Sequence, residues 1–147
     1  MATGVRTDPY RGFRFRVEID GIRTAAFTEA SVPSSEVTST DYREGTDPPV
    51  VRKLSTMNTY GNLTLKRGMS DSKELYDWNK QVQTTGAQGA RKSISLILID
   101  DEGKDKIRWD IIEAWPTKYE SAGFNSTGKD VVIETLEIVH EGITRVA

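Results

Sequence analysis

Cysteine is absent from the 147-residue chain, so it can build neither a disulfide framework nor a thiolate metal site, and the redox compartment is left open. His140 is the single histidine, which excludes any multi-histidine metal site and suits a surface residue at the end of a strand. Long apolar runs are missing as well. No stretch approaches the roughly 20 apolar residues of a membrane span, and the first ten positions lack the apolar segment of a secretory signal. The expectation is a chain made and folded in the cytoplasm, with no membrane insertion. Charge of one sign is not in excess: 20 basic against 22 acidic side chains leave a net charge of -2, spread without blocks. That removes the electrostatic case for nucleic-acid or anionic-membrane binding and points to proteins as partners.

What is present fits one domain over residues 1–147, with 1–11 polar and loose and no internal repeat. A folded chain of this size buries roughly 70% of the surface that its unfolded form exposes, so a core needs no staples. The most informative stretch runs from Tyr60 to Trp78. Leu63 and Leu65 share one face of an extended segment and Asn62, Thr64 and Lys66 the other, the period of a half-buried strand that Gly68 ends. Asp71 and Glu74 stand at capping-box spacing, and Leu75, Trp78 and Val82 follow at helical spacing. A helix over about 71–82 is expected, the only one in the chain.

Every other apolar run has period two. Phe13, Phe15, Val17 and Ile19 alternate with charged residues, Asp20-Gly21 signals a tight turn, and a returning strand is expected over Ile22–Ala30. Gln83 to Gly89 is a linker. Ile94, Leu96 and Leu98 oppose Ile97 and Ile99 on a strand buried partly on both faces, Asp101 to Lys104 makes a turn, and Ile107, Trp109, Ile111 and Trp115 share one face until Pro116 stops the strand. The three tryptophans are therefore core rather than a sugar or base platform. Val131–Glu141 is the last strand, with Val132, Leu136 and Ile138 on one face. The sum is a mainly β fold of about seven strands: two packed antiparallel sheets or a flattened barrel, plus one helix.

Residues 36–53 do not fit that core. Val and Thr stand at both ends, turn residues occupy Gly45 to Pro49, and almost no apolar face lies between. A lone two-stranded ribbon is marginal in water, so the segment reads as a projecting β-hairpin arm ordered by contact with something else. Strand edges of such a fold recruit other chains unless blunted or used, and assembly into a closed ring removes them.

Chemistry-bearing motifs fail on inspection. Gly123 to Lys129 has the glycine and lysine spacing of a phosphate-binding loop, but Asp130 replaces the required hydroxyl and Val131-Val132-Ile133 begins a strand instead of a helix. Asp100 to Asp105 holds the carboxylates of a calcium loop without its spacing. No nucleophile elbow is present, and no catalytic, cofactor-binding or metal residue is assigned.

Tyr60 to Gly68 followed by Glu74 to Trp78, then Ala114 to Glu120 and Val132 to Gly142, together with Tyr42 to Gly45 and Arg52-Lys53-Leu54, closely resemble the inner-tube proteins of contractile injection systems and contractile phage tails. The likeness spans about Phe13 to Ile143. One departure is Ser55-Thr56, where many members carry Pro-Gly, which puts the turn at the base of the arm in question. The resemblance implies a structural protein, not an enzyme, whose hexameric rings stack into a hollow tube inside a sheath. It implies partners in further copies of itself, in sheath, baseplate and tube-terminating proteins, and in luminal cargo protein or DNA bound without sequence specificity. It also implies intersubunit contacts for Tyr42, Arg43, Glu44, Asp47, Arg52 and Lys53 in the arm. A conduit needs a hydrated, non-adhesive wall, for which Thr24, Thr28, Thr38, Thr40, Thr64, Lys66 and Ser95 are the candidates. Two rivals remain: a single-ring adaptor at the baseplate or tube end, and a monomeric ligand-binding barrel or small enzyme.

Overall fold

A computed structural model describes residues 14–20, 22, 27–43, 45, 52–123, 128 and 131–146. β1 (Phe15–Ile19) forms where the alternation predicts it, with Val17 and Ile19 turned into the core. The turn after it closes, since the Ile22 amide donates to the Ile19 carbonyl at 3.1 Å. The expected return along β1 does not follow. Of Ile22–Ala30, the described part contributes one isolated bridge to Ile19 and the start of β2 (Glu29–Ser31), which pairs elsewhere; residues 21 and 23–26 lie outside the described set. β1 instead pairs with β6 (Lys92–Ile99), from Phe15 opposite Leu98 to Ile19 opposite Ile94. Packing explains the choice: β6 offers Ile94, Leu96 and Leu98 to the apolar face of β1, whereas the following segment offers Thr24, Ala25 and Ala26.

Two sheets share one long strand. β7 (Asp105–Ser121) runs 17 residues and does not stop at Pro116. Its first part pairs with β6 and with β9 (Gly142–Arg145), and its second part with β8 (Ile133–Val139). The transition is a bulge: Ile94 faces Ile111 but Lys92 faces Ala114, and Glu113 takes φ 53°, a left-handed value that non-glycine residues seldom adopt. The extra residue reverses the phase, so Ile111, Ala114 and Pro116 are buried while Trp115 leaves the face shared by Trp109 and Ile111 and is only half-buried. Pro116 is tolerated because the ladder to β8 is already irregular between it and Lys118.

β8 continues through β5 (Leu63–Gly68) to β2, which gives the strand path β1-β6-β7-β8-β5-β2 with β9 beside β7. Nine strands are described against about seven expected, because the last one divides at His140-Glu141 and β2 stands apart. β1 and β2 end the path without pairing to each other, so the two-sheet reading holds and the closed barrel does not. Leu63, Leu65, Ile111, Leu136 and Ile138 form the fully buried centre.

The helix α1 (Glu74–Thr85) packs on β7. Leu75 and Trp78 are buried and Val82 half-buried, as the spacing requires, and each fully buried large apolar side chain stabilises by about 1.5–3 kcal/mol. The capping box does not form. Lys73 is the N-cap, without a side-chain cap bond, and the helix runs on to Gly86, whose φ of 82° ends it. The supposed linker is helical to Thr85, where the Thr84 hydroxyl donates to the Lys80 carbonyl at 3.0 Å and the Thr85 hydroxyl to that of Gln81 at 2.8 Å. Asn79 then ties helix to strand, its Nδ2 donating to the Pro116 carbonyl at 3.2 Å.

Candidate assembly surface

The arm is a sheet of its own. Among the described residues β3 (Ser35–Tyr42) and β4 (Arg52–Tyr60) pair only with each other, and all of β3, with β4 from Lys53 onward, is exposed. It is longer than residues 36–53, because β4 reaches Tyr60. The Ser55-Thr56 departure is not a turn at the base: it lies at a mid-arm bulge between the Thr38–Met57 and Ser39–Ser55 pairs, where the Thr56 hydroxyl donates to the Thr38 carbonyl at 3.0 Å. At the true base the Gly61 amide donates to the Ser34 carbonyl at 2.9 Å, and a Cβ on Gly61 would lie 2.8 Å from Ser34 Oγ. His140 closes the joint. Its Nδ1 accepts from the Gly142 amide at 3.2 Å, which leaves Nε2 to donate to the Gly61 carbonyl at 2.9 Å, and its ring lies 5.6 Å from that of Tyr60. His140 is thus half-buried at the arm root, not a plain surface residue.

Register divides the arm into two unlike faces. Thr38, Thr40 and Tyr42 share a face with Leu54 and Met57, while Val37, Ser39 and Asp41 share the other with Lys53, Ser55 and Asn58. Lys53 and Asp41 form an ion pair on that second face. Leu54 and Met57 remain 49% and 64% exposed on one face, an apolar pair that no core residue of the same copy covers among the described residues. Of the arm residues expected to make contacts, Tyr42, Arg43 and Lys53 are exposed, whereas Glu44, Asp47 and the side chain of Arg52 lie outside the described set. The sequence reading favoured charged residues and missed Val37, Leu54 and Met57. Their signal was strand-forming apolar residues with no core face to join.

The ends of the sheet path form the second component. Between β1, β6 and β2 opens an apolar cleft of about 350 Å³, lined by Phe15, Ala30, Val32, Leu96, Leu98 and Trp109 among others.

Lumen candidates separate. Glu29, Lys66, Thr135 and Glu120 form one cross-strand row over β2, β5, β8 and β7, and Ser31, Thr64, Glu137 and Lys118 the next. Thr28 joins them through its hydroxyl, which donates to the Lys66 carbonyl at 3.2 Å. Thr28, Thr64 and Lys66 therefore share one polar face. Ser95 lies on the other sheet, in an ionic network: it donates to Asp110 at 3.0 Å and accepts from Arg108 at 3.0 Å, beside Arg16, which grips Asp105 with two nitrogens at 3.1 and 2.7 Å. The hydrogen bond from Arg108 holds the Asp110 carboxyl below its ordinary range, and Asp105 raises Arg16 in the same way. Thr38 and Thr40 stand on the arm, and Thr24 lies outside the described residues, as do 124–127, 129 and 130 of the false phosphate loop.

Sequence reasoning also missed a buried charge. Arg67 follows Leu63 and Leu65 in phase and is 1% exposed; its Nε binds Glu134, 3% exposed, whose other oxygen accepts from the Tyr119 hydroxyl at 2.6 Å. Burial first, then Glu134, pushes the Tyr119 phenol up to about 12. Nη1 and Nη2 of Arg67 have no hydrogen-bond partner, and the guanidinium lies 5.9 Å from the centre of the Phe27 ring.

With an arm, two free edges and no clustered catalytic groups described, similarity to known proteins becomes decisive. The family model described as T4-like virus tail tube protein gp19 matches residues 11–144. The chain belongs to the tail-tube protein family. Among solved structures, this tail-tube protein is similar to a chain of the PVC sheath-tube complex, an extracellular contractile injection system in the extended state, with 25% identity, TM-score 0.82, and coverage of 95% of this chain and 92% of that one. It is also similar in fold to a chain of the anti-feeding prophage tube terminating cap, at 24% identity and TM-score 0.85 over 99% of this chain and 95% of that one. Hcp1 from Flavobacterium johnsoniae shares the fold more distantly, at 20% identity and TM-score 0.57 over 89% and 93%. No curated protein matches the chain in sequence. Family and fold make the protein a structural tube component, and among the described residues no helix is long and apolar enough to cross a membrane.

Proposed function

We propose that copies of this chain form hexameric rings that stack into the hollow inner tube of a contractile injection particle, driven through a target envelope when a surrounding sheath contracts. The observation that carries this reading is the pairing of an exposed two-stranded arm with two sheet edges that have no strand neighbour among the described residues of the protomer. A ribbon of that kind is marginal in isolation, and open edges invite association; a ring of identical copies resolves both. Similarity to chains of a sheath-tube complex, a baseplate and a sheath/tube terminator supports sheath, baseplate and tube-terminating proteins as further partners. In this reading cargo protein or DNA passes through the lumen unbound by sequence. The role is mechanical and not enzymatic. Thr28, Thr64 and Lys66, which share a polar face, are the lumen residues this reading retains as a group.

Deleting Thr40 to Val51 tests the reading. A folded protomer that no longer polymerises is expected; normal tubes from the deletion variant under electron microscopy would remove the arm from the assembly. Copy number in an intact particle separates shaft from end ring, since a shaft protein is among the most abundant components. Size-exclusion chromatography addresses the monomeric alternative, for which a strict monomer at every concentration is the signature.

A further inference from the structure

We infer that the Leu54–Met57 face of one protomer's arm seats on the apolar cleft between β1 and β2 of the next copy, so that the cleft is the socket and the arm the plug. This rests on the ring reading above and names the two surfaces that meet.

The arm has two faces and only one of them suits burial. The face with Asp41 and Lys53 would have to surrender an ion pair to enter an apolar site. The face with Leu54 and Met57 carries, from Thr38 to Tyr42, only hydroxyl and apolar side chains on β3. The cleft matches that chemistry, with Phe15, Ala30, Val32, Leu96, Leu98 and Trp109 in its wall and Val32 48% exposed at its mouth. Glu29 is the one charged residue in that wall, and its carboxylate is exposed and lies 3.8 Å from Lys66 Nζ, so the apolar part of the cleft can be covered with that carboxylate left at the rim. The location fits as well. The cleft opens between the two strands that end the sheet path, where an incoming ribbon also meets the edges of β1 or β2 that carry no neighbouring strand among the described residues.

Plug and socket are different patches of the same molecule. Repeated head to tail, a contact of that kind is heterologous, and each added copy leaves one plug and one socket until the ring closes; a reciprocal two-fold exchange of arms would instead stop at a dimer. The bulge at Thr56 adds to the case, since bulges increase local twist and here one separates Met57 from Leu54 on the docking face.

The absence of cysteine makes the test direct. Met57→Cys and Val32→Cys place thiols on the exposed plug and at the socket mouth, and a short bismaleimide is added to assembled protein. A ladder of cross-linked species at multiples of the protomer mass, seen with the double variant and absent from either single variant beyond a dimer, is the expected result. Assembled particles without that ladder would overturn the seat while leaving the ring reading intact. A second pair of variants guards against disturbed assembly. Leu54→Asp with Met57→Asp should weaken self-association by roughly a hundredfold or more, the scale of burying unpaired carboxylates, while Ser39→Asp with Ser55→Asp on the opposite face should change it far less. Equal effects from the two pairs would refute the choice of face. A wild-type chain that stays monomeric would instead remove the ring reading, and this proposal with it.

Discussion

Arg67 shows how far a single residue can depart from its surroundings. It occupies an inward position of β5 with a charge that Glu134 alone balances among the described residues, and two of its nitrogens are unpartnered there. Removing one member of such a pair leaves an uncompensated buried ion, whereas replacing both with apolar residues removes the desolvation cost altogether. Arg67→Met alone should therefore destabilise by about 3–5 kcal/mol, and Arg67→Met with Glu134→Leu should recover most of the loss in denaturant unfolding. If the double variant is no better than the single, the network is worth more than its burial costs. Tyr119 gives the same site a pH signature. Its folded value of about 12 lies above the unfolded value of about 10, so its contribution to stability is complete below pH 10 and is lost as pH rises toward 12. Phenolate absorbance of the wild type minus that of Tyr119→Phe should titrate near 12; a midpoint near 10 would mean that the hydrogen bond to Glu134 is not made. At this scale the sequence was readable where side-chain type matched side-chain place, as at Val17, Leu65 or Trp78. It was unreadable at Arg67 and Glu134, because alternation says which positions face inward but not that a charge will accept burial when its partner is 67 residues away.

Among the elements, the bulge at Glu113 decides the most. A β strand was expected there and exists, but the expected end at Pro116 and the expected face of Trp115 both failed, because one left-handed residue inverts the alternation for everything after it. Period counting cannot see an inserted residue. Glycine adopts that conformation without steric cost, so Glu113→Gly should be more stable than Glu113→Ala by about 1 kcal/mol in thermal unfolding, both having lost the contact with Arg91. Equal stabilities would place the strain elsewhere. The helix was legible through Leu75 and Trp78, yet its cap was not, since capping depends on side-chain geometry and Asp71 lies too far before Lys73 to serve. The arm was legible for the opposite reason: its lack of a core face set it apart, though its full length to Tyr60 depended on pairing that only the register reveals.

For the whole molecule the unanswered valence is at the edges. β1 and β2 each have a neighbour on one side only among the described residues, so the outward amides of both strands are open in a lone protomer. In an assembly that uses them they should be protected. Hydrogen exchange on the isolated chain and on polymerised material is expected to differ most at Phe15–Ile19, Glu29–Ser31 and the arm, and least at Leu63, Leu65 and Leu136 in the buried centre. Uniform protection in both states would mean that the sheet ends find their partners within one copy. Composition already pointed towards this expectation, since balanced charge and the lack of clustered ligands favour protein partners over nucleic acid, metal or membrane.

The single 17-residue strand that belongs to both layers has a mechanical meaning. In most sandwiches the two layers are joined by loops and can slide when sheared. Here peptide bonds run on through the bulge at the corner, so a thrust applied to one layer has a covalent path to the other.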